Sequence, residues 1–134
     1  MLESKNRGLL AMITDDHARA EHMALIFVHD PFVAEDIART VSETDSAMQI
    51  RTAHDNDSAL SSIQHPAHVT LAILQLGPEE ILSGDLGQAL QRAGTRIVLM
   101  GDEAEEHGLT AGYDVLHRPF RTVDLLRVLR QNTG

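Results

Sequence analysis

The chain has 134 residues, 43% of them hydrophobic and 23% charged, which indicates one globular domain rather than a disordered chain. The formal net charge of −9 argues against nucleic-acid binding, because nucleic-acid phosphates attract basic surfaces. Cysteine is absent, which excludes disulfides, thiolate nucleophiles and thiolate metal sites and fits a cytoplasmic location.

Residues 1–22 precede the first strand signal and are predicted to be an N-terminal tail or a short helix. Residues 8–20 fit a helix with an apolar face, which would be marginal without a partner surface, and disorder is the equal alternative. The apolar stretch Leu9–Ile13 is too short for a signal peptide or a membrane span, so we expect no membrane partner. The folded domain is expected over residues 23–134.

The first strand and helix have clear signals. Ala24–Val28 is a buried-strand pattern that ends at His29 and Asp30. Pro31 is tolerated at the first helical position, so the helix is predicted to begin there. Its apolar stripe consists of Val33, Ile37 and Val41.

The next strand and helix have weaker signals. Met48–Ala53 alternates between apolar and polar residues, as a strand nearer the edge of a sheet does. Asp57 or Ser58 is then expected to cap a short helix that runs through Ile63.

The strongest strand signal is Val69–Leu74, which is followed by Gln75 and by a predicted turn at residues 76–78. A loop is then expected to lead to a helix over residues 85–93. Gly94 is predicted to stop that helix.

The last third of the domain contains two more strands and a final helix. Ile97–Met100 is the fourth predicted strand, and Asp114–Leu116 is the fifth. Between them, residues 103–107 form a weak acidic segment whose simplest interpretation is a solvated face. Thr122 is expected to cap the last helix, whose apolar residues are Val123, Leu125, Leu126, Val128 and Leu129.

Five strands that alternate with helices predict a doubly wound α/β fold with a parallel sheet covered on both faces. In such folds, functional sites lie beyond the carboxyl ends of the strands. The candidate site residues are therefore His29, Asp30, Gln75, Gly101 and Arg118.

Two stretches, Leu71–Pro78 and Val115–Phe120, resemble motifs of the response-regulator receiver domain, the CheY-like module of two-component systems. The second motif usually reads hydrophobic, any residue, Lys, Pro, Phe in that family. The resemblance extends from Met23 to about Gln131 and implies a flavodoxin-like fold with a five-stranded parallel sheet.

The same resemblance implies that the phosphorylation chemistry is lost. An active receiver has an acidic pair for Mg²⁺, an acceptor aspartate, a Thr or Ser, a lysine and a switching aromatic residue. Here these positions hold, in order, His29-Asp30, Gln75, Gly101, Arg118 and Val115. A shift by one residue does not restore the acceptor, because residues 69–78 contain no carboxylate. A carboxamide is a far poorer nucleophile than a carboxylate.

We therefore expect a stand-alone pseudo-receiver without enzymatic activity, cofactor or metal, acting in signalling by protein–protein interaction. The expected contact surface, which would also serve a homodimer, comprises the last two strands and the final helix. Its candidate residues are Val115, Arg121, Leu125, Arg127 and Arg130. A basic rim of Arg121, Arg127 and Arg130 would meet Glu103–Glu106 across a symmetric dimer.

Further expectations concern the old phosphorylation pocket. Gln75 is expected to hydrogen-bond locally with Asp30 or Arg118, and Asp30 to form an ion pair with Arg118. The Arg118–Pro119 bond is expected to be cis, as the family implies. The alternative function is a small-ligand sensor that uses this pocket, with His29, Asp30, Gln75 and Arg118 as its polar lining.

Overall fold

The apolar runs form five strands in a computed structural model of the protein, which describes residues 22–64 and 68–130. The helix considered for residues 8–20 lies outside the described residues. The strands are β1 (His22–Phe27), β2 (Gln49–Ala53), β3 (His68–Leu74), β4 (Arg96–Met100) and β5 (Asp114–Leu116).

Six helices connect or follow these strands in the described ranges. They are α1 (Pro31–Thr44), α2 (Asn56–Ile63), α3 (Pro78–Ser83), α4 (Asp85–Arg92), α5 (Asp102–His107) and α6 (Thr122–Arg130). None of the helices within residues 22–64 and 68–130 is long and apolar enough to cross a membrane.

All neighbouring strands are parallel, and the sheet order is β2-β1-β3-β4-β5. This confirms the predicted doubly wound fold and the position of β2 at an edge. The strand order reverses between β1 and β3, where ligand crevices form in such folds. Phe27 pairs with Leu74 in the β1–β3 ladder, so the residues that follow these two strands lie side by side.

Two apolar clusters cover the two faces of the sheet. On one face, Ile37 of α1 and Leu125 of α6 pack against Ile26 and Ile73. On the other face, Ala59 of α2, Ile81 of α3, Leu90 of α4 and Ala104 of α5 pack against the sheet. Because both faces are covered, the central strands β1 and β3 are mostly apolar, as parallel strands generally are.

The starts of two helices differ from the predictions. The cap of α2 is Asp55, whose carboxylate accepts the Ser58 N–H at 2.8 Å, so the helix begins earlier than a cap at Asp57 or Ser58 would allow. Thr122 is the first residue of α6 rather than its cap. The Asp124 carboxylate accepts the Arg121 N–H there at 2.8 Å.

The segment before α4, predicted to be a loop, contains helix α3. Pro78 occupies its first turn, and the Glu80 carboxylate accepts the Gly77 N–H at 2.9 Å, which stabilises the start of the helix. The prediction missed α3 because Gly and Pro at residues 77–78 indicate a turn as readily as a helix start. The acidic segment after β4 also folds as a helix, α5.

Candidate functional site

Gln75 joins the ends of the two central strands. Its backbone N–H donates to the carbonyl oxygen of Phe27 at 2.8 Å, and its side-chain Oε1 accepts the backbone N–H of His29 at 2.9 Å. Because a backbone N–H can only donate, the partner atom must be the carboxamide oxygen. The side chain therefore extends the β1–β3 hydrogen bonding past the last residue of the ladder. The expected local hydrogen bond of Gln75 is present, but its partner is neither Asp30 nor Arg118.

Asp30 caps helix α1. Its Oδ1 accepts the backbone N–H groups of Phe32 at 2.9 Å and of Val33 at 3.4 Å. An aspartate is among the best residues for this position, because it satisfies N–H groups that have no partner inside the helix. The Asp30 carboxylate thus has a structural role at this helix end.

Arg118 follows β5, and its peptide bond to Pro119 is cis, as predicted. Its guanidinium pairs with two carboxylates of α5. Nε lies 2.9 Å from Glu105 Oε2, and a terminal nitrogen contacts Asp102. The backbone N–H of Arg118 also donates to Glu105, at 3.0 Å. The predicted pairing with Asp30 is therefore wrong: α5 offers two carboxylates, whereas Asp30 is occupied at the start of α1.

The Arg118 contacts shift two pKa values. The side-chain and backbone hydrogen bonds from Arg118 lower the pKa of Glu105. Hydrogen bonds to Glu105 and Asp102 raise the pKa of Arg118. Both shifts favour the charged forms of the two groups.

Gly101, at the start of α5, has a φ of +105°, a conformation that other residues rarely adopt. A Cβ built there would lie 3.2 Å from Cγ of Gln75. The backbone at this position therefore favours glycine.

A pocket of about 390 Å³ lies at this edge of the sheet, and we call it the strand-end pocket. Four of the five predicted site residues line it, the exception being Gly101. Its residues are Val28, His29, Asp30, Val33, Gln75, Met100, Arg118, Pro119 and Phe120.

These residues do not fit the Mg²⁺ site of active receivers. That hard cation takes several oxygen ligands, usually including carboxylates. Gln75 is neutral and its oxygen is hydrogen-bonded, while Asp30 is the single carboxylate among the lining residues. In the described part of the chain, no group of three or more His, Asp or Glu side chains is placed to hold a metal ion.

Two of the predicted interface residues are buried. Leu125 is 1% exposed and Val115 is 7% exposed, because both pack into the core clusters that cover the sheet. The expectation that they form a contact surface is therefore wrong. Val123, which is 46% exposed, is the apolar side chain that α6 presents to solvent most strongly.

The three arginines predicted to contribute to the interface are exposed. Arg127 and Arg130 lie on α6, and Arg121 directly precedes it. Arg121 and Arg127 lie 3.8 Å and 3.6 Å from the Asp124 carboxylate. Arg130 is exposed in the last turn of the helix. The helix is anchored to β4 by Arg96, which donates to the carbonyl oxygens of Leu129, at 2.7 Å, and of Val128.

Sequence reasoning did not identify Asp102 and Glu105 as partners of Arg118. A signal was present, because residues three apart lie on the same face of a helix. In a helix that follows β4, this face can reach the neighbouring strand end. The pairing was missed because the acidic segment was interpreted as a solvated surface.

Comparison of the sequence finds no matching protein-family model and no matching curated protein. The structure is similar to that of a response regulator from Thermotoga maritima, with a TM-score of 0.61 and 14% identity over 80% of this chain and 92% of that chain. A CheY-like receiver domain protein from Methanospirillum hungatei JF-1 gives a TM-score of 0.57 and 17% identity over 80% and 90% of the two chains. A response regulator receiver protein from Burkholderia phymatum gives 0.55 and 23%, with the same coverage of 80% and 90%. The chain therefore has the flavodoxin-like fold of response-regulator receiver domains.

Proposed function

We propose that this protein is a pseudo-receiver, a non-enzymatic signalling module that acts by protein–protein contact independently of phosphorylation. One observation carries the proposal: the Oε1 of Gln75, the residue that by resemblance corresponds to the acceptor aspartate of receivers, is hydrogen-bonded to the His29 N–H. A carboxamide in that position gives no stable acyl phosphate.

Two further contacts support the proposal. The Asp30 carboxylate caps α1, and the Arg118 guanidinium is held by Glu105 and Asp102. The groups that remain from the phosphorylation site thus have structural partners. A signal that uses this fold must then depend on surface recognition.

The surface we favour is formed by β4, β5 and the exposed side of α6, with Val123 as an apolar contact residue. Arg121, Arg127 and Arg130 form its basic rim, and Glu103 and Glu106 on α5 are exposed acidic counterparts. A symmetric homodimer would bring the two sets of charges together, since a two-fold interface matches each patch with its complement. A signalling partner with acidic groups would use the same rim. The absence of cysteine is consistent with action in the cytoplasm.

The test is self-association, or binding to a partner recovered from the native host, measured by sedimentation and pull-down. Changing Arg127 and Arg130 to glutamate should weaken binding, whereas Gln75→Ala should leave it unchanged. If Gln75→Ala abolishes binding and the arginine changes do not, the strand-end pocket carries the function instead.

The strand-end pocket supports a second candidate function, a small-ligand sensor. Its volume of about 390 Å³ lies within the range of ligand sites, and it combines apolar walls with a few polar groups. A ligand that binds the folded state should raise the melting temperature by mass action. A protein that functions only as a contact module should show no such ligand.

A further inference from the structure

The strand-end pocket has an unusual charge balance for a site that handles phosphoryl groups in related folds. Its one guanidinium, from Arg118, pairs with the carboxylates of Glu105 and Asp102 on α5. Asp30 is the one carboxylate among the lining residues, and none of the ion pairs between described residues includes it. Because the charge of Arg118 is offset by its partners on α5, the Asp30 carboxylate is left as the charge of the lining without an opposite charge paired to it.

An anionic ligand would be disfavoured here. An anion that bound the Arg118 guanidinium would face two carboxylates that already accept from it, Glu105 from Nε and the backbone N–H and Asp102 from a terminal nitrogen. Glu105 belongs to the same folded domain and therefore competes at a high effective concentration. Asp30 would also repel the anion.

The Asp30 carboxylate could accept a further hydrogen bond from a cationic group. Oδ1 of Asp30 accepts the two N–H groups of α1, whereas Oδ2 accepts no hydrogen bond from the described residues. Ionised carboxylates accept through both oxygens, and a hydrogen bond from an ammonium group is charge-assisted.

The apolar lining residues of the pocket could contact an apolar group attached to that cation. Val28, Val33 and Met100 contribute aliphatic or thioether groups, and Phe120 contributes an aromatic ring. A carboxylate combined with an aromatic ring is a recurrent way to recognise organic ammonium groups, because the ring face attracts cations. The pocket volume of about 390 Å³ suits a ligand the size of one substituted ring.

We propose that the strand-end pocket binds a small amphipathic organic cation, a primary or secondary ammonium on an aromatic or branched aliphatic body. The ammonium group contacts Asp30, and the apolar body lies against Val33, Met100 and Phe120. This inference rests on the ligand-sensor function and not on the protein-contact function.

The experiment is calorimetric titration of the full chain with three probes of similar shape: benzylamine, benzyl alcohol and benzoate. Benzylamine should bind most tightly and benzoate most weakly. Amide chemical shifts should change at Val28, Val33 and Met100, which locates the ligand.

Asp30→Asn is the informative variant, because asparagine caps a helix as well as aspartate does and the fold is retained. It should weaken benzylamine binding about tenfold, the order expected for loss of one charge-assisted hydrogen bond, and leave benzyl alcohol unchanged. Asp36→Asn is the matched control, since it removes the same charge from α1 at an exposed pair with Arg39. It should leave benzylamine binding unchanged.

Three results would overturn the inference: benzoate binding as tightly as benzylamine, an unchanged benzylamine affinity in Asp30→Asn, or shift changes outside the pocket. If benzylamine and benzyl alcohol bind equally at the pocket, the sensor function stands and its cation selectivity is wrong. If none of the three probes binds at millimolar concentration, the inference and the sensor function both fail. The protein-contact proposal is unaffected by that outcome.

Discussion

The side-chain oxygen of Gln75 accepts the backbone N–H of His29 at 2.9 Å and thereby joins the ends of β3 and β1. The Gln75 side chain therefore contributes a hydrogen bond between the two central strands, beyond the last residue pair of their ladder.

Gln75→Ala should lower the free energy of unfolding by about 0.5–1.5 kcal/mol, because the His29 N–H loses its partner. Gln75→Glu retains an acceptor oxygen at the same distance from the backbone and should stay closer to the wild type. Urea denaturation measures both changes. Equal stability of the alanine variant and the wild type would show that the hydrogen bond contributes nothing.

Asp30 can be tested separately as the cap of α1. Asp30→Ala should lower the free energy of unfolding by about 0.5–2 kcal/mol, whereas Asp30→Asn should change it little, because only alanine removes the acceptor. Both proteins should be compared by thermal and urea denaturation. A loss of similar size in both variants would mean that the charge, and not the cap, is what matters.

The Arg118–Glu105 pair predicts a pH dependence. Hydrogen bonds from Arg118 lower the pKa of Glu105 below its ordinary value of 4.5. Because the folded-state pKa is depressed, the pair stabilises the fold above the ordinary value, and this contribution is lost as the pH falls through the folded-state pKa.

Glu105→Gln should therefore be less stable than the wild type at neutral pH, and the difference should shrink as the pH falls below 4.5. Stability curves over this pH range provide the measurement. Glu43→Gln, at an exposed position in α1, removes the same charge far from Arg118 and serves as the control. A difference that stays constant with pH would contradict the assignment.

The basic rim of α6 can be tested by charge reversal. Arg127→Glu with Arg130→Glu should weaken self-association or partner binding, mainly through a slower association rate. The cost to folding should stay near 1 kcal/mol, because these side chains are exposed and lie near the helix C-terminus.

Arg39→Glu with Arg51→Glu provides a matched control, since it reverses two exposed charges on α1 and on the edge strand β2. Its binding should equal that of the wild type. If both double variants bind equally weakly, net charge rather than the rim determines association.

The sequence predicted the sheet well because β1, β3 and β4 are largely buried on both faces and so consist mostly of apolar residues. It also placed His29, Asp30, Gln75 and Arg118 at one pocket, because parallel strands end at the same edge. The ion pairs of Arg118 were less predictable. Carboxylates occur at the start of α1 and on α5, and which of them Arg118 contacts depends on how the two helices pack against the sheet.

The interface prediction failed at Leu125 for a related reason. An apolar pattern around α6 indicates that some of its residues are buried, but it does not tell which of them the sheet covers. Leu125 packs into the core, whereas Val123 remains partly exposed. The missed helix α3 shows the same limit at short range, since Gly77 and Pro78 are compatible with a turn and with a helix start.

The most direct test of phosphorylation independence is intact-mass measurement after incubation with acetyl phosphate and Mg²⁺. The account predicts an unchanged mass, before and after treatment with hydroxylamine, which cleaves acyl phosphates. A stoichiometric gain of one phosphoryl group that hydroxylamine removes, and that is abolished by Asp30→Asn or Asp102→Asn, would contradict it.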